Sequence, residues 1–200
     1  MKQDNSGSSG SAVVGRRDSD AAGTTVVLVA DDDPAVTDDI AAVLETDYEV
    51  RTAYDSADAI AVLDVEVSVV LLDPNLPGLS ARHVLDRVTA EAVDCQVAAL
   101  VETDVDLTAT AYDAALTKPV DPDKLRDTVG RLARRAAYRT ALSEYYDLAE
   151  RYASLSPEDP EREHVRDRLD DLSAQLDDVF GTLETREAYD TALRELRSDP

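Results

Sequence analysis

The amino-acid sequence predicts an α/β fold in which five βα units form a doubly wound parallel sheet, followed by an α-helical hairpin. Two observations carry that prediction. Between Thr25 and Gly130, short apolar runs alternate with segments whose apolar residues recur at helical spacing. The runs are nearly continuous in apolar character, as strands covered on both faces must be. Beyond Gly130 the strand-like runs stop, and two long segments take up a 4-3 spacing of apolar residues.

The elements follow in order. VVLVA at 26–30 reads as the first strand, and the segment 34–46 as a helix with Val36, Ile40, Val43 and Leu44 on one face. A short strand over 49–53, a helix over 56–63, an apolar strand over 67–72, a helix over 80–92 and a strand over 96–101 come next. A weak helix over 106–111 leads to a last short strand, 114–117, and to a long helix opening at Asp121 and Pro122. No proline interrupts the stretch from Lys124 past Arg135 to Tyr138, and Gly130 alone costs only ~1 kcal/mol of helix propensity. The last helix of the α/β unit is therefore expected to run unbroken into the hairpin. There, Tyr138, Leu142, Tyr145, Ala149 and Tyr152 form one seam, and Val165, Leu169, Leu172, Leu176, Val179 and Leu183 the other. SPEDPE at 156–161 supplies the turn between them, and a short final helix over 186–197 presents Tyr189, Leu193 and Leu196. Residues 1–24 hold four of the seven glycines and the run DNSGSSGS, and are expected to be a disordered leader. The division is thus 1–24, 25–130 and 131–200, with the third part continuous with the last helix of the second.

Composition excludes several function classes. The charge is −23, from 43 acidic against 20 basic residues, of which only three are lysines. The acids are interspersed among periodic apolar residues, so they coat folded surfaces rather than forming a tail. Such a surface repels itself in dilute salt and is tolerated where the Debye length falls to ~3 Å, near 1 M salt, which points to a salt-rich cytoplasm such as that of halophilic archaea. The same charge argues against broad contact with nucleic-acid phosphates. No apolar run approaches the roughly 20 residues that cross a bilayer, and the lone Cys95 forms no internal disulfide, so a reducing cytoplasm is the expected location.

The chemistry concentrates at strand ends. Asp31, Asp32 and Asp33 follow the first strand, Asp73 follows the third in VVLLDPNLPG, and Lys118 follows the fifth, before Pro119. In an open parallel sheet, ligands bind beyond the carboxyl ends of the strands. An acidic triplet alone is more often a turn and helix cap than a metal site. With Asp73 and Lys118 at matching strand ends, a hard cation with open coordination positions, Mg²⁺, becomes the better reading.

These residues carry a resemblance. VADDDP, LDPNLPG and TKPV, in this order and each at a strand end, make residues 25–130 resemble the receiver domain of two-component response regulators, whose fold is flavodoxin-like. That resemblance implies that Asp73 accepts a phosphoryl group, that Asp32 ligates Mg²⁺ directly and Asp31 through water, that the Asn75 carbonyl is a further ligand, and that Lys118 binds a phosphoryl oxygen. It implies a sensor histidine kinase as donor and a cis peptide before Pro119, while Asp33 opens the following helix. Residues 121–197, above all RRAAYRTALSEYYDLAERYASL, resemble less specifically the HalX domain that follows receivers in haloarchaea.

The sequence also departs from the receiver pattern. The usual Thr or Ser at the end of the fourth strand and the aromatic residue of the fifth fall, counting back from Lys118, at Ala99 and Ala115. Thr103 substitutes only if the strand end is shifted. Arg126, Arg131, Arg134, Arg135 and Arg139 form a basic stretch, expected to pair with Asp167, Asp170, Asp171, Asp177 and Asp178 of the hairpin's second helix rather than with nucleic acid. His83 and His164 read as surface residues and Cys95 as a small apolar one. The expected function is that of a response regulator read out through a hairpin that dimerises over residues 138–183. The alternative is a receiver-like scaffold whose dimerisation ignores phosphorylation.

Overall fold

A computed structural model describes residues 25–90, 95–103 and 111–182. The expected leader, the helix over 106–111 apart from its last residue, the end of the helix over 80–92, Leu183 and the helix over 186–197 lie outside the described residues. Five strands, β1 (Val26–Ala30), β2 (Glu49–Ala53), β3 (Val67–Leu72), β4 (Gln96–Val101) and β5 (Ala114–Thr117), form one parallel sheet in the order β2-β1-β3-β4-β5. The helices are α1 (Pro34–Leu44), α2 (Ser56–Val62), α3 (Ala81–Ala90), α4 (Pro122–Ser154) and α5 (Glu161–Thr182).

The period of two along a strand divides the core between two faces. Val26, Leu28 and Ala30 of β1 join Val70 and Leu72 in a cluster with Ala59 and Leu63 of the α2 region and Val84 and Val88 of α3. Val27 and Val29 join Val69, Leu71, Leu100 and Leu116 on the opposite face, against Ile40 and Leu44 of α1 and Leu125, Val129 and Leu132 of α4. All five β1 residues are buried, which is why that strand shows no apolar-polar alternation.

Helix ends follow local chemistry. Asp33, Asp55 and Asp121 cap α1, α2 and α4, each accepting from backbone N–H groups of the first turn, and proline opens α1 and α4, where its missing donor costs nothing. α4 is one helix of 33 residues, about 50 Å long at 1.5 Å per residue. Its first half lies on the sheet and its second half carries α5, with Ala141, Val165 and Leu172 buried. At the turn, Arg162 donates to the Tyr152 and Leu155 carbonyls and stacks 3.9 Å over the Tyr152 ring, closing the C-terminal end of α4.

The expected charge pairing across the hairpin is corrected in part. Arg135 is buried and pairs with Asp113, just before β5 (3.7 Å). Among the described residues, Arg151 pairs with Glu161 and, in the opposite sense to that expected, Arg168 of α5 pairs with Glu144 of α4.

Candidate functional site

The backbone ladder places the charged residues. Asp31 N–H donates to Ala53 O (3.1 Å), Asp73 N–H to Ala30 O (2.9 Å) and Lys118 N–H to Val101 O (2.8 Å). Each residue thus extends its strand's pairing by one step, and the three side chains emerge together at the carboxyl edge of β1, β3 and β5. Asp31 is fully buried and Asp73 nearly so, whereas Asp32 is exposed.

Lys118 sits between the two buried acids. Its Nζ donates to Asp73 Oδ2 at 2.5 Å and stands 2.6 Å from Asp31 Oδ2, an electrostatic contact without hydrogen-bond alignment. Burial pulls the ammonium pKa down, but the contacts with Asp31 and Asp73 outweigh it and hold the group above the ordinary lysine value. The other oxygens are fixed by the backbone: Asp33 N–H donates to Asp31 Oδ1 (3.0 Å) and Asn75 N–H to Asp73 Oδ1 (2.6 Å). Burial, followed by the charge of Asp73, pushes the Tyr112 phenol up.

Asp31, Asp32 and Asp73 each offer a carboxylate oxygen, all within 4.8 Å of one another. Three hard oxygen donors at that spacing fit a divalent cation, with the buried Asp31 Oδ2 facing the Lys118 ammonium at 2.6 Å. Of the residues expected at the site, Asp31, Asp32, Asp73 and Lys118 therefore lie together, and Asn75 joins them through its N–H on Asp73. Asp33 is set apart, accepting from Ala35 N–H (2.9 Å) as the cap of α1. The Lys118–Pro119 bond is cis. A cavity of about 400 Å³ opens beside Lys118, lined by Val36, Ile40 and Val43 of α1 and by Pro119, Val120 and Leu125.

Ala99 lies two residues before the end of β4 and pairs with Leu72 and with Ala115, so the two positions expected to carry a hydroxyl and an aromatic ring are neighbours across β4 and β5, and both are alanine. Val101 and Glu102 occupy the strand end, and neither bears a hydroxyl. Thr103 is exposed in the bend beyond. Glu102 instead brings a carboxylate to 3.9 Å from Lys118 Nζ.

Two residues at the site were missed in the sequence. Thr37, fully buried, donates its hydroxyl to Asp31 O (3.2 Å) and Asp33 O (3.1 Å), tying the acidic turn to α1. Ser56 is fully buried at the start of α2. The available signal was positional, since each hydroxyl lies in the first turn of a helix that follows an aspartate cap.

The response regulator receiver domain model matches residues 27–130, just over half of the chain. The chain belongs to the response regulator receiver domain family. Among solved structures, the fold resembles a receiver domain protein from Methanospirillum hungatei (21% identity, TM-score 0.52, covering 57% of this chain and 98% of that one). It also resembles a receiver domain protein from Clostridium thermocellum (26% identity, TM-score 0.50, 56% and 95%) and a chemotaxis response regulator of Vibrio cholerae (22%, 0.50, 55% and 99%). A Haloferax volcanii protein described as a candidate transcriptional regulator is 34% identical over 134 residues, 66% of this chain. The match is longer than the receiver segment, so it takes in residues outside it. This chain spans only 23% of that relative's length. Among the described residues, no helix is long and apolar enough to cross a membrane.

Proposed function

We propose that this receiver takes a phosphoryl group from a sensor histidine kinase onto Asp73 and passes the change to its C-terminal helices. The observation that carries the reading is the buried triad: Lys118 held within 2.6 Å of both Asp31 and Asp73, with Asp32 at the rim of the same cluster. An Asp73 carboxylate oxygen attacks phosphorus, the phosphorus–nitrogen bond to the donor histidine breaks, and the imidazole nitrogen keeps the electron pair and takes up a proton. Asp32, Asp73, the Asn75 carbonyl and, through water, Asp31 would hold Mg²⁺, which supplies neutralising charge at the phosphoryl oxygens when bound. Lys118 moves from Asp73 Oδ2 to a phosphoryl oxygen, so one preplaced cation serves both states.

The output side of the proposal is a HalX-type helical hairpin that dimerises through residues 138–183. Its narrow seam leaves Tyr146 about 62% exposed and Tyr145 half-buried, an apolar stripe that a second copy would cover in a two-fold arrangement. The haloarchaeal source of a 34% identical relative supports the HalX-type part of this reading.

A phosphorylation-independent scaffold is the second reading, favoured by Ala99 and Ala115 at the positions expected to carry the usual hydroxyl and aromatic residues. Incubation with a small phosphoryl donor and Mg²⁺ in molar KCl, followed by mass and size measurement, separates the two. Modification of the wild type but not of Asp73→Asn, with a change in assembly, supports the first. Absence of modification sinks it.

A further inference from the structure

The loop over residues 73–80 carries both Asp73 and Asn75, yet it contains two prolines and a glycine and exposes most of its length. Within itself it is held by Asn75 N–H to Asp73 Oδ1 (2.6 Å) and Leu76 N–H to Asp73 O (3.2 Å). From outside it is held by Ser56. The backbone N–H of Ser56 donates to Pro77 O (3.0 Å), and its hydroxyl reaches Pro77 O (2.8 Å) and Leu79 O. A hydroxyl carries one proton, and Pro77 O already has the Ser56 amide as donor, which leaves that proton for Leu79 O.

Gly78 lies between these two carbonyls at φ +95°, a left-handed conformation that any other side chain strains to adopt. The conformation turns both carbonyls toward α2, and a side chain added at Gly78 would meet Ser56 at an ordinary contact distance of 3.8 Å. Ser56 is itself fixed. Asp55 caps α2 by accepting from Ala57 and Asp58 N–H (both 2.8 Å), and three residues before Ser56 the Ala53 carbonyl accepts from Asp31 N–H. The acidic turn and the Ser56 clasp therefore share one frame, the end of β2.

Alanine would fill this buried position without burying a polar atom, so the hydroxyl has a role beyond packing. We propose that Ser56 is a positioning residue for the divalent-cation site. By clamping the Pro77 and Leu79 carbonyls, it holds the loop so that Asn75 stays against Asp73 and the cation ligands stand assembled before the cation arrives. The inference rests on the Mg²⁺ reading given above.

The test is Mg²⁺ titration calorimetry on the full chain in molar KCl, paired with the rate of Asp73 phosphorylation at saturating Mg²⁺. Ser56→Ala is expected to raise the Mg²⁺ dissociation constant about tenfold, at the lower end of what supporting residues around metal sites contribute, while the saturated rate stays within about twofold. Ser56→Thr, which keeps the hydroxyl, recovers affinity. Gly78→Ala strains the same loop through its φ of +95° while keeping the Ser56 hydroxyl, and weakens Mg²⁺ comparably, which keeps the inference testable if Ser56→Ala does not fold. Wild-type Mg²⁺ affinity in Ser56→Ala or Gly78→Ala, with only a lowered melting temperature, overturns the positioning role and leaves the Mg²⁺ reading standing. A wild type that binds no Mg²⁺ overturns both.

Discussion

Replacing Lys118 by methionine removes the cation between Asp31 and Asp73 while keeping most of the side-chain volume. The Lys118 side chain is 11% exposed, and those of Asp31 and Asp73 are 0% and 7% exposed, so the variant leaves two buried carboxylates without their cation. Removing one partner of a buried pair costs about 3–5 kcal/mol, because the remaining charge stays desolvated. Asp32 opens the cluster to solvent and gives potassium ions access, which places the expected loss near the lower end, about 3 kcal/mol. At roughly 4 °C per kcal/mol for a domain of this size, the melting temperature should fall by about 12 °C. Molar salt does not erase the effect, since buried pairs are screened far less than surface ones. Mg²⁺ should return part of it, about 2.7 kcal/mol at a hundredfold excess over its dissociation constant, and should raise the melting temperature more in the variant than in the wild type. Circular-dichroism melts of both proteins in molar KCl, with and without Mg²⁺, measure this. A loss below about 1 kcal/mol, or a variant that ignores Mg²⁺, would refute the electrostatic account of the site.

Three further outcomes are expected. Asp32→Asn should remove most Mg²⁺ binding in calorimetry while barely altering the melt without Mg²⁺, because Asp32 is exposed and no contact of the buried triad depends on it; unchanged affinity would place the cation elsewhere. Dilution below about 0.2 M salt should lower the melting temperature, since 43 acids face 20 bases and screening lengthens, whereas a salt-independent melt would undo the reading of the surface as salt-adapted. Truncation after Ala137 should leave a receiver that light scattering finds monomeric where the full chain is dimeric; equal dimerisation of the two would remove the hairpin from the interface.

Much of this was legible in the sequence because the fold repeats one rule. Near-continuous apolar runs at 26–30, 67–72 and 96–101 can only be strands covered on both faces, and the site residues follow directly from where those runs stop. The prediction for α1 ran two residues long because Glu45 and Thr46 are compatible with helix, and the chain leaves it through a turn that propensity does not mark. The pairing of Arg135 was misread for a different reason. Charge complementarity favoured the acidic α5, but helical phase turns Arg135 onto the same face as Leu132 and Ala136, toward the sheet. Ser56 and Thr37 were invisible because a hydroxyl in the first turn of a helix looks the same whether it faces water or a neighbouring loop. Only tertiary structure separates those cases.

The missing hydroxyl at the end of β4 bears on how a change at Asp73 could leave the site. Lys118 touches both buried acids and is followed at once by Pro119, Val120 and the α4 cap Asp121, so the path from the site to the start of α4 is three residues long. Two of the four residues from Pro119 to Pro122 are prolines, which fix φ and leave the segment little freedom to absorb a displacement. α4 then continues without interruption to Ser154, carrying α5 on its second half. Its first half grips the sheet through Leu125, Val129 and Leu132, with Arg135 on Asp113 at the far end of β5. Under the proposed function, a small shift of Lys118 would act at one end of a rigid element packed along the sheet, and a rotation of that element would be carried to the hairpin along the helix. Coupling between distinct sites is typically about 1–3 kcal/mol, a scale that making or breaking one ion pair at Lys118 can supply. That proposed route would need no hydroxyl relay through β4, because Lys118, which contacts Asp73, and the helix that bears the hairpin are neighbours in the chain.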